Sequence, residues 1–221
     1  MQPNSAPGDL DRAQDELVRE CRGLADRGLV LAAAGNASVA VGDDVLLTGT
    51  GAGFATLEPD DLVLVDRAGR VLSGERPPTS ELALHLAAHA LPGTAAVVHT
   101  HGRHAVALSS LTDVVPALHY YAVDLGGPVP VAPYRCFGTP ELAEVTAAAL
   151  AGRTGVVMAH HGSLTVGATP AQAAARADLL EWLCEVALLA RSAGSPAQLS
   201  DPQLDEVRAA VAGRRAAGVS R

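Results

Sequence analysis

The sequence predicts an α/β protein in which a mixed, mostly antiparallel β-sheet is flanked by helices. Three observations carry that expectation. Short apolar runs of strand length alternate irregularly with longer amphipathic segments, instead of in the regular βα order of a parallel sheet. Turn residues at Gly42-Asp43-Asp44 and Ala68-Gly69 separate neighbouring runs closely enough for hairpins. Gly49, Gly51 and Gly53 alternate but lack the strand-to-helix setting and spacing of a dinucleotide fingerprint, which argues against a nicotinamide-binding fold.

Residues 1–8 read as a disordered lead. An amphipathic helix near 9–27 follows, with Leu10, Leu17, Val18, Cys21 and Leu24 on one face and Gly28 suited to its end. Strands are expected at 39–41 and 45–48, then at 62–65 and 70–72. Pro77-Pro78 breaks the chain, and Thr79 or Ser80 is the expected N-cap of a helix running to Ala90. A strand over 95–99, a short helix over 103–111, a loop carrying His119, Tyr120 and Tyr121, and a strand over 129–131 come next. Thr139-Pro140 and Thr169-Pro170 each mark a helix start, because proline fits the first helical position and threonine the cap before it. The first of these helices ends by Gly152 and leads to a strand over 156–159. The second, near 170–192, turns Leu179, Leu180, Leu183, Val186 and Leu189 towards a core. Residues 9–192 are expected to form one domain and 193–221 a C-terminal helical tail whose last residues fray.

At 221 residues the chain is long enough to bury ~70% of its unfolded surface in one core. No apolar run reaches the ~20 residues that span a membrane, and the start has neither the basic nor the apolar region of a secretory signal. Cys21, Cys136 and Cys184 are odd in number and far apart, which suits a reducing cytoplasm and gives no disulfide framework. The net charge of -8 argues against a nucleic-acid surface, where clustered cations are needed. All 16 basic residues are arginine. Without a lysine amine the chain cannot activate a carbonyl as a Schiff base, so carbonyl chemistry here calls for a metal.

Candidate metal ligands stand at two strand ends. His99 and His101, two apart in Val97-Val98-His99-Thr100-His101, point the same way from a strand, and Val156 to Gly162 is a second apolar run ending in His160-His161. Three imidazoles from two strand ends match an open zinc site with a fourth position for substrate. Glu81, His85 and His89 lie four apart on one helical face and form a competing ligand group, although a polar helix stripe accounts for His85 and His89 more simply. Gly35-Asn36-Ala37-Ser38, Thr50-Gly51 and Thr79-Ser80 offer hydroxyls, an amide and bare backbone N–H groups. Such groups, with a helix N-terminus, can hold a phosphate without lysine.

Taken in order, Gly35-Asn36-Ala37-Ser38, Thr48-Gly49-Thr50-Gly51, Thr79-Ser80-Glu81, His99-Thr100-His101 and His160-His161-Gly162 resemble the class II aldolase/adducin family. Leu118-His119-Tyr120 and the segment from Ala132 to Thr139 extend the likeness, which covers roughly residues 10–192. The resemblance implies a three-layer fold assembled as a homotetramer with fourfold symmetry, one zinc ion per chain, and a site near a subunit interface. It implies His99, His101 and His161 as zinc ligands, with His160 a neighbour, and Glu81 as the acid/base. It places Asn36, Ser38, Thr50, Gly51, Thr79 and Ser80 around the substrate phosphate, Tyr120 as a proton donor from the adjacent subunit, and Phe137 at the aldehyde end. The implied reaction is reversible cleavage of a ketose 1-phosphate to dihydroxyacetone phosphate and a small aldehyde. Gly49 stands where the family often has proline, Thr79 where it often has serine, and no tyrosine follows Tyr134 to cover the aldehyde. Related branches are sugar-phosphate 4-epimerases, decarboxylases and dehydratases, and adducin-like modules that keep the fold without the chemistry. The epimerase branch carries Asp where this chain has Glu81.

Overall fold

Strands β1 (Asn36–Val41) and β2 (Asp44–Thr48) form the expected hairpin, and in this computed structural model, which describes residues 8–217, they sit inside a larger sheet. Its other strands are β3 (Leu62–Val65), β4 (Val71–Ser73), β5 (Ala96–Thr100), β6 (Val114–Val115), β7 (Val129–Ala132), β8 (Gly155–Met158) and β9 (Gly162–Gly167). The nine strands lie in the order β4-β3-β2-β1-β5-β9-β8-β7-β6, and only β7 and β8 pair in parallel. The sheet is therefore mixed and mostly antiparallel, as its hairpin turns predict.

Helices cover both faces because the central strands are apolar on both sides. On one face α1 (Asp9–Asp26) and α5 (Pro170–Ala193) pack Leu17, Cys21, Leu24, Ala173 and Ala177 against Val39, Leu46, Ala96 and Val98. The short helix α3 (Arg103–Ser109) extends that layer. On the other face α2 (Leu82–His89) and α4 (Pro140–Leu150) pack Leu84, Ala88, Leu142 and Leu150 against Val97, Val156 and Leu164. Alternation along β5 sends Ala96 and Val98 to the first face and Val97 and His99 to the second. The site histidine thus starts on the side covered by α2.

Thr139 and Thr169 cap their helices through bonds accepted from Leu142 N–H and Gln172 N–H, with proline following each, as the sequence predicts. The start of α2 differs. Thr79 donates its N–H to Thr48 O, and Gly49 bridges Pro78, so this segment is tied to the end of β2 and cannot coil until Glu81, the actual N-cap. Strands β6 and β9 have no counterpart in the sequence reading: β9 is buried along its whole length, so Ser163 and Thr165 hide an alternation that normally marks a half-buried strand. Leu189, expected in the core, is 63% exposed, whereas Leu180 and Leu183 are buried.

After α5 the chain is fastened back. Leu199 N–H donates to Ala117 O, and Leu204 of α6 (Asp201–Ala216) is fully buried beside Leu125 and Leu183. The predicted disorder of residues 1–7 and fraying of 218–221 lie outside the described residues. No helix among the described residues is long and apolar enough to cross a membrane.

Candidate active site

The site begins where β5 ends. His99 is paired across the sheet with Asn36 of β1 on one side and Leu164 of β9 on the other, and its side chain is fully buried. Its Nδ1 lies 2.8 Å from the Ser163 carbonyl oxygen. A carbonyl can only accept, so Nδ1 carries a hydrogen and Nε2 is the nitrogen turned inward. His101, just past the strand, brings its Nε2 to 2.9 Å from that atom.

His161 reaches the same point from the tight β8–β9 turn, where Met158 pairs with Gly162 and His161 N–H donates to Met158 O. His160 adopts φ 59° to make this turn, and a Cβ on Gly162 would lie 2.2 Å from Thr100 O. Glycine is therefore what lets the turn press against the end of β5. The ligand nitrogens of His99, His101 and His161 all lie within 4.8 Å of one another.

Glu81 completes the cluster from the start of α2. Its Oε2 is 3.0 Å from His99 Nε2 and accepts from Asn36 Nδ2 at 3.3 Å. Its Oε1 is buried, accepts no hydrogen bond, and has His161 Nε2 at 3.4 Å. A ring nitrogen held at 3.0 Å from a carboxylate oxygen needs a proton or a cation between them. The donor set therefore fits a divalent ion: three borderline-soft imidazoles, one with its second nitrogen anchored to a carbonyl, and a carboxylate alongside. Burial by itself would raise the Glu81 pKa, but the hydrogen bond and charge of His99, with His161 and the Asn36 amide, outweigh it and hold the group to about 2. The carboxylate is thus held well below its ordinary range.

A small cavity of about 170 Å3 opens over this cluster. Its walls include Gly35, Asn36, Thr50, Gly51, Thr79, Ser80, Glu81, His101, His161 and Phe137. The sheet thus gathers five of the six residues expected around a phosphate, together with Phe137, which stands at the mouth, 67% exposed. Thr50 donates its N–H to Pro77 O and its hydroxyl to Pro78 O, stitching the glycine loop to the segment before Glu81.

Ser38 is the exception. It is fully buried, does not line the cavity, and has its hydroxyl 2.7 Å from His85 Nδ1 and 2.8 Å from His89 Nε2. Its place on β1 explains this, since Ser38 pairs with Val97 and so faces α2. His85 and His89 are accordingly neither a solvent-facing stripe nor part of the metal group, but buried partners of β1. The four-residue spacing of Glu81, His85 and His89 is visible in the sequence; the polar residue opposite them is not. Tyr120 lies away from this cavity, in a 3-10 turn over Tyr120–Leu125, 44% exposed and packed on His119.

Burial also sets a pH response. His85 is lowered to about 3 first by burial, then by the nearness of His89 and His99, with Glu81 opposing. His89 is lowered to about 4 by burial and Arg67, with the Thr94 backbone opposing, and His101 to about 4 by burial, His99 and His161, with Glu81 opposing. Such rings stay neutral in the fold while the unfolded chain takes up protons below its ordinary histidine pKa, so stability falls as pH drops through that value. Urea denaturation of chelator-treated protein should show a lower midpoint at pH 5 than at pH 7, with His85 alone contributing roughly 2 kcal/mol of the loss. Equal midpoints would contradict neutral burial.

Fold and site together define a three-layer α/β protein with three imidazoles and one carboxylate converging at the end of its sheet. The family model described as Class II Aldolase and Adducin N-terminal domain matches residues 15–188. Over 192 residues the chain is 35% identical to an L-fuculose phosphate aldolase of Escherichia coli O6:H1, covering 86% of this chain and 89% of that protein. It is 37% identical over 183 residues to a 5-methylthioribulose-1-phosphate/5-deoxyribulose-1-phosphate aldolase of Rhodospirillum rubrum, covering 81% of each. A solved L-fuculose 1-phosphate aldolase superposes with a TM-score of 0.86 at 30% identity, covering 92% of this chain and 96% of the other. The chain belongs to the class II aldolase and adducin family.

Proposed function

We propose that this chain catalyses the reversible aldol cleavage of a ketose 1-phosphate, such as L-fuculose 1-phosphate or a 5-deoxypentulose 1-phosphate, to dihydroxyacetone phosphate and a small aldehyde. The observation that carries the reading is a buried Glu81 with one oxygen that accepts no hydrogen bond, set against three convergent imidazoles at the floor of a small polar cavity. One zinc ion per chain, held by His99, His101 and His161, would supply Lewis-acid stabilisation of the charge that develops on the substrate oxygens.

The remaining work falls to residues of the chain. Gly51 and Ser80, with the backbone around Thr79 and the second Asn36 amide hydrogen, form the wall that would receive the phosphate. In the cleavage direction the C4 hydroxyl loses its proton as the C3–C4 bond breaks, and the electron pair remains on the C3 side as an enediolate. Glu81, through Oε1, removes a proton from C3 of dihydroxyacetone phosphate in the synthetic direction; in cleavage it delivers to C3 a proton that Oε1 first takes up from solvent, matching the one lost from the C4 hydroxyl. Tyr120, which does not reach the cavity of its own chain, would act from the neighbouring subunit of a homotetramer, exchanging a proton with the C4 oxygen. Phe137 would cover the aldehyde.

A panel of ketose 1-phosphates and 4-epimerisable pentulose 5-phosphates tests the proposal, following aldehyde release and epimer formation together. Aldehyde and dihydroxyacetone phosphate should appear in equal amounts from at least one ketose 1-phosphate. Borohydride should trap no covalent adduct, since the chain has no lysine. Epimer formation without aldehyde would replace cleavage with epimerisation, and no product at all would favour the decarboxylase or dehydratase branch.

A further inference from the structure

Ser38, His85 and His89 are buried polar groups that the reaction above does not use, yet they connect to Glu81 through an unbroken chain. Glu81 Oε2 is followed by Asn36 Nδ2 at 3.3 Å, and Asn36 Oδ1 by His85 Nε2 at 2.6 Å. His85 Nδ1 is 2.7 Å from Ser38 Oγ, which is 2.8 Å from His89 Nε2. The direction of every bond follows from its two ends.

Asn36 donates its NH2 to Glu81 Oε2, so its carbonyl oxygen is the atom turned to His85. That oxygen only accepts, so His85 Nε2 carries a hydrogen. Buried and neutral, His85 then has a lone pair on Nδ1, into which the Ser38 hydroxyl donates. Ser38 has no second hydrogen, so His89 Nε2 donates to it. All four bonds point towards Glu81, and hydrogen bonds aligned this way strengthen one another.

We propose that His85, held in its Nε2–H tautomer by Ser38, is a positioning residue that locks the Asn36 carboxamide with its NH2 towards Glu81 and so aims the Glu81 carboxylate at the substrate. The lock leaves Oε2 anchored and Oε1 available for the proton, a division of labour that a freely rotating carboxylate would lack. Were His85 protonated on Nδ1 instead, its bare Nε2 would face Asn36 Oδ1, two acceptors 2.6 Å apart, and the amide would flip. Its carbonyl would then oppose the Glu81 carboxylate. The catalytic consequence rests on the aldolase reading of Glu81; the tautomer does not.

Two measurements separate those levels. In the full-length, metal-loaded protein labelled with 15N-histidine, two-bond NMR correlations should show His85 and His89 protonated at Nε2 and His85 bare at Nδ1. His85 protonated at Nδ1 overturns the proposal, whether or not any substrate is turned over. For activity, His85→Leu should lower kcat by ~10–100-fold with KM and metal content near parental values. His85→Gln, whose amide nitrogen takes the place of Nε2, should recover most of that loss, and Ser38→Ala should fall between them. Equal kcat for His85→Leu and His85→Gln would mean that the ring only fills space, which also overturns it. A parent chain with the expected tautomers but no aldol activity would instead sink the functional reading and leave the hydrogen-bond lock standing.

Discussion

Glu81→Gln is expected to lower aldol turnover by ~10²–10⁴-fold, the range that a positioned general acid/base contributes, while leaving metal content at about one ion per chain. The substitution is nearly isosteric, and the glutamine carbonyl can still accept from Asn36 Nδ2. What disappears is the oxygen that now lies unpartnered beside His161: in its place stands an NH2 group that can donate but cannot take up a proton. Because the three imidazoles supply their own nitrogens, metal retention should not depend on the carboxylate charge. Initial rates by coupled assay and metal content by emission spectrometry check both halves. Turnover within threefold of the parent would remove Glu81 from the proton-transfer step.

The ionised state that this prediction assumes arises from fold positions, not from Glu81 itself. A buried carboxylate ordinarily gains a proton. Here β1 supplies Asn36 and β5 supplies His99, directly opposed in the sheet register, and together with His161 they reverse the effect of burial. The same register puts Ser38 one pleat further along β1, where it meets His85 and His89. One pair of strands therefore carries both the charge environment of Glu81 and the hydrogen-bonded partners behind it.

Much of this was legible in the sequence, and the parts that were not share a cause. Local signals sufficed for the hairpin at Gly42, for the threonine-proline helix starts, and for the two strand ends that deliver His99, His101 and His161. Three readings depended on partners remote in sequence. Ser38 was placed with the phosphate group because Gly35-Asn36-Ala37-Ser38 reads as one polar loop, whereas β1 begins at Asn36 and alternation sends Ser38 towards α2. In the sequence His85 and His89 read as a polar stripe because nothing adjacent in the chain shows that a strand supplies their hydrogen-bond partner. The N-cap of α2 fell at Glu81 because β2 holds Thr79 through a bond that no nearby residue announces. That displacement is functionally useful: it puts the carboxylate at the mouth of the helix, beside the cavity, instead of one residue into its first turn.

The second large effect is expected from His161→Ala, which should weaken divalent-metal binding by at least ~100-fold and reduce turnover with it, while leaving the fold intact. The three imidazoles are not equivalent targets. His99 is fully buried and its Nδ1–H is tied to Ser163 O, so its removal would leave a void and an unpaired carbonyl in the middle of the sheet. His161 instead sits on the β8–β9 turn with its side chain 11% exposed, and the turn is held by its backbone N–H to Met158 O, which alanine retains. On the proposed zinc site, loss of the ring would take one ligand of three, so metal should escape to a chelator that the parent resists, and excess zinc should restore part of the activity. Thermal denaturation of the chelator-treated forms separates metal loss from unfolding: the variant and parent should melt within a few degrees of each other when both are metal-free. A variant that binds zinc as tightly as the parent would show that the third protein ligand lies elsewhere, with the Glu81 carboxylate, 3.4 Å from His161 Nε2, the first candidate.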